Sequence, residues 1–264
     1  MPTRVVVNGA LGRMGQEVVR AVLADSELRL VGAVEDNVPQ PYLPVPEHPD
    51  LIPFSPNLGS LIEKTCPDVV VDFTAAQAVM AAARVTLPSR VCLVTGTTGL
   101  SEAEFDEIAD LCARYEIGAV AAANFSLGAV LLMHLASVAS RFFSTAEIIE
   151  MHHEKKLDAP SGTALATARK MVESRGADFV HAVTEREVLG GVRGGDWGGV
   201  GIHSVRLPGI MATQEVLFGG KGQTLLLRHD ATSRESYMPG VILAVKEVVG
   251  TQGLVRGLDT LLGL

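Results

Sequence analysis

The chain has 264 residues, with 30 acidic against 22 basic side chains and a formal net charge of −8. That length permits one large domain or two modest ones, and a hydrophobic fraction of 47% excludes intrinsic disorder. The acidic balance argues against a nucleic-acid partner, so an anionic ligand has to be held by local geometry.

In chain order, Met1-Pro2-Thr3-Arg4 leads straight into Val5-Val6-Val7 without a signal-peptide layout, which points to the cytoplasm. Further apolar, β-rich runs follow at Leu30–Val34, Val69–Val71, Val91–Val94 and 117–123. Between them lie helix-compatible segments over about 12–24, 58–65, 75–86 and 101–115. Strands apolar on both faces and joined by helices predict an α/β, doubly wound parallel sheet. Seven of the 13 prolines fall within residues 39–56, which predicts a stiff loop, read as a spacer in preference to a lid. The run from Ile117 to Ser140 has no charged side chain and is long enough for a bilayer. Asn124, Ser126, His134 and two glycines interrupt it, so a buried strand, a turn and an apolar helix over 127–140 explain it better than a membrane span.

Beyond residue 140 the texture changes. A strand at 145–151 leads to a polar turn and a helix over about 162–174. A Gly-rich stretch at 190–201 precedes β-like runs at 201–206, 214–218 and 223–230, and Ser233 is placed to cap a helix over about 236–249. Clustered strands after an alternating half predict a second, mixed-sheet α+β domain. Cys66, Cys92 and Cys112 are odd in number and widely spaced, so neither a disulfide framework nor a zinc site is expected.

Gly9-Ala10-Leu11-Gly12-Arg13-Met14-Gly15 follows the first strand and opens the first helix. A tight turn needs glycine, close approach of a pyrophosphate forbids a Cβ, and free N–H groups at the helix start favour phosphate. Glu35 ends the second strand 20 residues past Gly15, where an acid accepts hydrogen bonds from ribose hydroxyls. Asp36 follows, and two acids repel a 2′-phosphate, so NADH is expected over NADPH, or both are tolerated. Gly96-Thr97-Thr98-Gly99 and Ala122-Ala123-Asn124-Phe125 follow later strands, where small residues and hydroxyls admit a nicotinamide.

The stretch Glu150-Met151-His152-His153-Glu154-Lys155-Lys156-Leu157-Asp158-Ala159-Pro160-Ser161-Gly162-Thr163-Ala164 is the most informative. Two histidines and two lysines meet at a strand end, just ahead of a helix N-terminus whose donors and hydroxyls suit a carboxylate. An imidazole beside an ammonium is a plausible proton source, since neighbouring cations depress one another's pKa. No metal site is expected: the stretch lacks the second histidine of HExxH, and adjacent strand residues point to opposite faces.

With the Gly-Arg-Met-Gly start, this stretch resembles the 4-hydroxy-tetrahydrodipicolinate (dihydrodipicolinate) reductase family of the diaminopimelate–lysine pathway. The resemblance runs through Asp72-Phe73-Thr74, Gly96–Gly99, Ala122–Ser126 and Gly128 to Ser233-Arg234. It implies that His152 is the acid/base group, Lys156 the proton donor, His153 a substrate ligand, and Gly162 with Thr163 the holders of a substrate carboxylate. Gly9 to Met14, Glu35, Gly96 to Thr98 and Ala122 to Phe125 would then contact the dinucleotide. The family fold implies a Rossmann domain over 1–125, completed by a C-terminal helical segment at 234–264. A substrate-binding and tetramerisation domain over 126–233 would make a homotetramer.

Departures from the family pattern also stand out. Asp36 occupies a place where many members carry Arg or Lys, and Ala212-Thr213-Gln214 replaces the usual Gly-Glu/Asp-His, where a supporting hydrogen bond would be lost. A reductase of another cyclic imine or amino-acid substrate, and a non-catalytic dinucleotide sensor, remain rival readings.

Overall fold

The computed structural model describes residues 1–45, 51–181 and 186–264, and separates them into two compact units, Met1–Phe125 with Tyr237–Leu264, and Ser126–Ser236.

The first unit is built on alternation. Strand β1 (Thr3–Asn8) buries Val5, Val6 and Val7 completely, as a strand covered on both faces must. Helix α1 (Arg13–Ala24) returns along the sheet and buries Gly15, Val18, Val19 and Val22, one stripe at helical spacing. The chain continues through β2 (Leu28–Val34), β3 (Tyr42–Leu43), β4 (Ile52–Ser55), α2 (Leu58–Thr65), β5 (Val69–Asp72) and α3 (Ala76–Thr86). It then runs through β6 (Cys92–Thr95), α4 (Glu102–Tyr115) and β7 (Gly118–Ala121). Ser101 starts α4 with a capping box: its hydroxyl accepts from the Glu104 N–H, and the Glu104 carboxylate accepts from the Ser101 N–H.

The second unit opens with α5 (Leu127–Ser140) and β8 (Thr145–His152), followed by α6 (Gly162–Arg175), β9 (Gly195–Trp197), β10 (Val200–Arg206), β11 (Ala212–Gly220) and β12 (Gln223–Ala231). Its sheet has the order β12-β11-β8-β10-β9, with β10 parallel to β8 and the other pairs antiparallel. On one face Ala146, Ile148, Ile202, Val216 and Phe218 form a core with Leu132 and Ala136 of α5 and Ala164, Ala168 and Met171 of α6. The register places Glu150 and Arg206 on that same face. The opposite face carries Ile149, Met151, Val205, Leu217 and Leu226.

The chain then returns to the first unit with α7 (Met238–Val248), β13 (Gly253–Arg256) and α8 (Leu258–Leu262). The completed sheet has the order β13-β7-β6-β5-β1-β2-β4-β3, parallel throughout except for the β3–β4 pair. Strand order reverses beside β1, which lies between β2 and β5, and this is where an open α/β sheet receives its ligand.

The fold class is as expected, a Rossmann-like parallel sheet with a separate mixed sheet, but three local expectations need correction. Residues 39–56 are not all loop: Ile52 and Phe54 alternate inward, so β4 pairs with β2 despite Pro53, and the Phe54 N–H reaches the Pro41 carbonyl at 2.9 Å. Residues 46–50 lie outside the described residues, and the choice between spacer and lid rests partly on them. Ser233 does not cap α7; a 3₁₀ turn at Arg234–Tyr237 intervenes, and its Ser236 N–H reaches the Ser233 carbonyl at 3.3 Å. The segment 234–264 is not wholly helical either, because β13 pairs with β7 and extends the sheet. The charge-free run divides into β7 and α5, and among the described residues no helix is long and apolar enough to cross a membrane.

Candidate functional site

In the first unit the turn after β1 is held from several sides. Gly9 has a positive φ of 78°, and a Cβ there would meet Thr74 Cγ2 at 2.9 Å. A Cβ on Gly15 would lie 2.0 Å from the Gly9 carbonyl oxygen, so the first turn of α1 approaches the loop as only glycine allows. The N–H groups of Gly9 and Ala10 donate to the Val34 carbonyl at 3.0 and 3.1 Å, tying the turn to the end of β2. Glu35 adds a further tie, because its carboxylate accepts from the Leu11 N–H at 3.0 Å. Gly12, as the N-cap of α1, has no side chain to offer the helix, which leaves the first-turn donors open to a phosphate.

A cleft of about 580 Å³ brings Gly9, Gly12, Glu35 and Asp36 together with Asn57 and Gly59 at the start of α2 and Ala78 and Ala82 on α3. Gly96–Thr98 and Ala122–Phe125 do not line this cleft. They follow the ends of β6 and β7, on the same edge of the parallel sheet as the glycine turn. Gly96 leaves room for Phe73, whose ring atom would lie 2.0 Å from an added Cβ, and Phe73 packs on the buried Phe125 ring at 5.7 Å.

In the second unit the end of β8 carries the other cluster. Glu150 has no solvent exposure, and His152 Nδ1 lies 2.6 Å from its Oε2. Arg206, at the end of the neighbouring β10, donates to both carboxylate oxygens at 2.8 and 3.1 Å. Burial pushes the Glu150 carboxyl up, but hydrogen bonds from His152, Arg206 and Ser204 outweigh it and hold the value at about 2. The ionised carboxylate only accepts, so Nδ1 of His152 must carry a proton and Nε2 is the ring nitrogen turned away from Glu150. Arg206 also donates to the Asp158 carbonyl at 2.6 Å, fixing the loop that follows.

That loop holds Lys156, whose Nζ donates to Asp158 Oδ1 at 2.7 Å. Lys156 therefore has an acid as its ion-pair partner, where the sequence suggested neighbouring cations; in return it holds the Asp158 carboxyl below its usual range. β8 ends at His152, so His153 lies beyond it and is not bound by strand alternation. Gly162 and Thr163 form the first turn of α6, and an added Cβ at Gly162 would meet nothing within 4 Å. The Ser161 hydroxyl is not free as expected: it is buried and caps the helix, accepting from the Ala164 N–H at 3.1 Å.

Glu150 and Arg206 are the residues whose part in the site the sequence did not expose. Glu150 two residues before a histidine was a visible signal, but Arg206 becomes its partner only through the β8–β10 register. At Ala212-Thr213-Gln214, where the loss of a supporting hydrogen bond is expected, Gln214 donates to Thr167 Oγ1 on α6 at 2.8 Å. Among the described residues no group of His, Cys, Asp and Glu is placed to hold a metal.

The model of the family described as dihydrodipicolinate reductase, N-terminus, matches residues 3–125, and that of its C-terminus matches residues 128–262. A 4-hydroxy-tetrahydrodipicolinate reductase of Dehalococcoides mccartyi is 52% identical, with 100% of this chain and 99% of the relative covered. One from Moorella thermoacetica is 46% identical over 98% of this chain and 97% of its own. Among solved structures, a dipicolinate-bound dihydrodipicolinate reductase from a Paenisporosarcina species superposes with a TM-score of 0.88 at 40% identity, covering 98% and 99% of the two chains.

The Glu150 network sets an acid-stability prediction. A carboxyl lowered from 4.5 to about 2 on folding contributes stability that is full above the unfolded value and lost as pH falls through the folded one, on the order of 3 kcal/mol. Urea unfolding of the wild type is expected to lose that much between about pH 5 and pH 2. In Glu150→Gln the loss should shrink, from a lower starting stability at pH 7. Equal pH slopes for the two proteins would contradict the network.

Proposed function

The chain belongs to the dihydrodipicolinate reductase family, and from that premise we propose that it reduces 4-hydroxy-tetrahydrodipicolinate, through its dehydrated imine, to tetrahydrodipicolinate in diaminopimelate and lysine biosynthesis. The observation that carries the reading is the His152–Glu150–Arg206 network at the end of β8, immediately ahead of Lys156 and the α6 N-terminus. It is the equipment of proton delivery and carboxylate binding, which a non-catalytic dinucleotide sensor does not need.

The protein is an oxidoreductase using a nicotinamide dinucleotide, which supplies the hydride when bound. The glycine turn fits such a group: its backbone admits no Cβ at Gly9 or Gly15, and its helix-start donors are uncapped. Gly9, Ala10, Leu11, Gly12, Arg13 and Met14 would hold the pyrophosphate and Glu35 the ribose, with Gly96, Thr97, Thr98 and Ala122 to Phe125 along the nicotinamide half. The substrate is a small dicarboxylate, like the dipicolinate bound by the Paenisporosarcina relative. Gly162 and Thr163 would receive one carboxylate on the first-turn N–H groups of α6, with His153 at the ring. Lys156 Nζ is the proton donor, and His152, oriented through Nδ1, is its acid/base partner. Cytoplasmic placement completes the reading and suits three free cysteines, of which Cys112 is pushed up to about 11 by burial.

The open face of the mixed sheet suits a homotetramer. Leu226 is 53% exposed there, beside Ile149, Met151, Val205 and Leu217, and identical subunits can cover such a face.

Purified protein mixed with freshly generated substrate should oxidise NADH or NADPH, and Lys156→Ala should cut kcat by about 100-fold or more while the cofactor dissociation constant stays unchanged. No oxidation of either cofactor, or unchanged turnover in the variant, would sink the respective assignment. Asp36→Arg should shift the kcat/KM ratio toward NADPH by about tenfold or more, since it replaces a repulsive charge with an attractive one. An unmoved ratio would contradict the charge argument. In light scattering the wild type should have the mass of a tetramer and Leu226→Glu that of a smaller species; a wild-type monomer would refute the assembly.

A further inference from the structure

Asp72, the last residue of β5, is completely buried, and its carboxylate is surrounded by donors from three strand ends. Asn8 Nδ2, from the end of β1, donates to Oδ2 at 2.5 Å. The Thr74 N–H and hydroxyl, from the turn after β5, donate to Oδ1 at 3.0 and 2.7 Å. The Thr97 hydroxyl, from the turn after β6, reaches Oδ1 at 3.3 Å. Asn8 directly precedes Gly9, and Thr97 lies between Gly96 and Thr98, so one carboxylate joins the first residues of both turns.

The neighbouring side chains extend the same anchoring. The Thr74 methyl fills the space that Gly9 leaves, and the Phe73 ring fills the space at Gly96 and packs on Phe125. Asp72-Phe73-Thr74 thus fixes all three segments assigned to the dinucleotide, yet an acceptor-only carboxylate with no exposure has nothing left to offer a ligand directly.

We propose that Asp72 is a positioning residue for the dinucleotide site, holding the turns after β1 and β6 in register for one extended ligand. This rests on the cofactor reading above. A buried carboxylate is tolerated only with its donors in place, so the turns that supply them are constrained together.

A charge swap tests it. Asn8→Asp places a second carboxylate against the first, and the KM for NADH should rise roughly tenfold or more with little change in kcat. Loss of folded protein would instead lower apparent kcat and leave KM alone. Adding Asp72→Asn re-forms the pair with its roles reversed: the amide now on β5 donates to the carboxylate now on β1, and its oxygen still accepts from Thr74 and Thr97. The double variant should recover the wild-type KM to within about threefold. If Asn8→Asp does not fold, Thr74→Val, which keeps the shape but removes a hydroxyl, should raise KM several-fold, and Thr74→Ser, which keeps the hydroxyl and gives up only the methyl contact at Gly9, should raise it clearly less. Normal KM in Asn8→Asp, no recovery in the swap, or equal KM in the two Thr74 variants would overturn the proposal. Wild-type protein that binds neither NADH nor NADPH by calorimetry would instead defeat the cofactor reading, and the proposal with it.

Discussion

A carboxylate with no access to water is stable only when donors surround it, and each sheet of this protein places such a group at or near the end of a central strand. Asp72 closes β5 in the parallel sheet and Glu150 lies near the end of β8 in the mixed one, both with zero exposure. Their donors come from elsewhere in the chain: Asn8 and Thr97 for the first, His152 and Arg206 for the second. Satisfying each acid therefore arranges around it the loops that carry the candidate site residues. The turns at Gly9 and Gly96 are spaced by Asp72, and the ring of His152 and the Asp158 loop are set by Glu150 and Arg206.

The two acids act differently because their partners differ. Asp72 gathers neutral donors and fixes backbone turns, whereas Glu150 gathers a guanidinium and an imidazole. Hydrogen bonds from His152, Arg206 and Ser204 together hold the Glu150 carboxyl well below its usual range, so it accepts from His152 Nδ1 and fixes the orientation of the imidazole. Removing either partner would leave a buried charge short of donors, which costs more than the net worth of one hydrogen bond.

Much of this was legible in the sequence where chemistry is local. The α1 start at Gly12, the buried valines of β1 and the helix opening at Gly162 all follow from turn chemistry and periodicity over a few residues. What escaped depends on pairing between distant segments. β13 has only four residues and is a strand because Gly253–Arg256 lies in register with Gly118–Ala121. β4 carries Pro53 and sits where a proline-dense run suggested loop, but Ile52 and Phe54 have a core to enter. Arg206 lies 56 residues beyond Glu150, and no local pattern marks it as the partner of that acid.

The same dependence on register explains the departure at Ala212-Thr213-Gln214. Thr213 stands opposite Asp230 and donates to its Oδ1 at 2.7 Å, while Arg228 holds the other oxygen at 2.7 Å. An acid at position 213, the usual family residue, would here face Asp230 directly and be repelled. In this chain β12 supplies the carboxylate of the pair and β11 the hydroxyl. Gln214 points to the opposite face, across from Glu150 in register, where it bonds Thr167. An amide donates there without adding a titrating group beside the His152–Glu150 pair. It anchors α6 one turn beyond Thr163, since Thr167 also donates to the Thr163 carbonyl at 2.8 Å. Gln214 thus braces the start of α6 by a hydrogen bond between two groups that do not titrate.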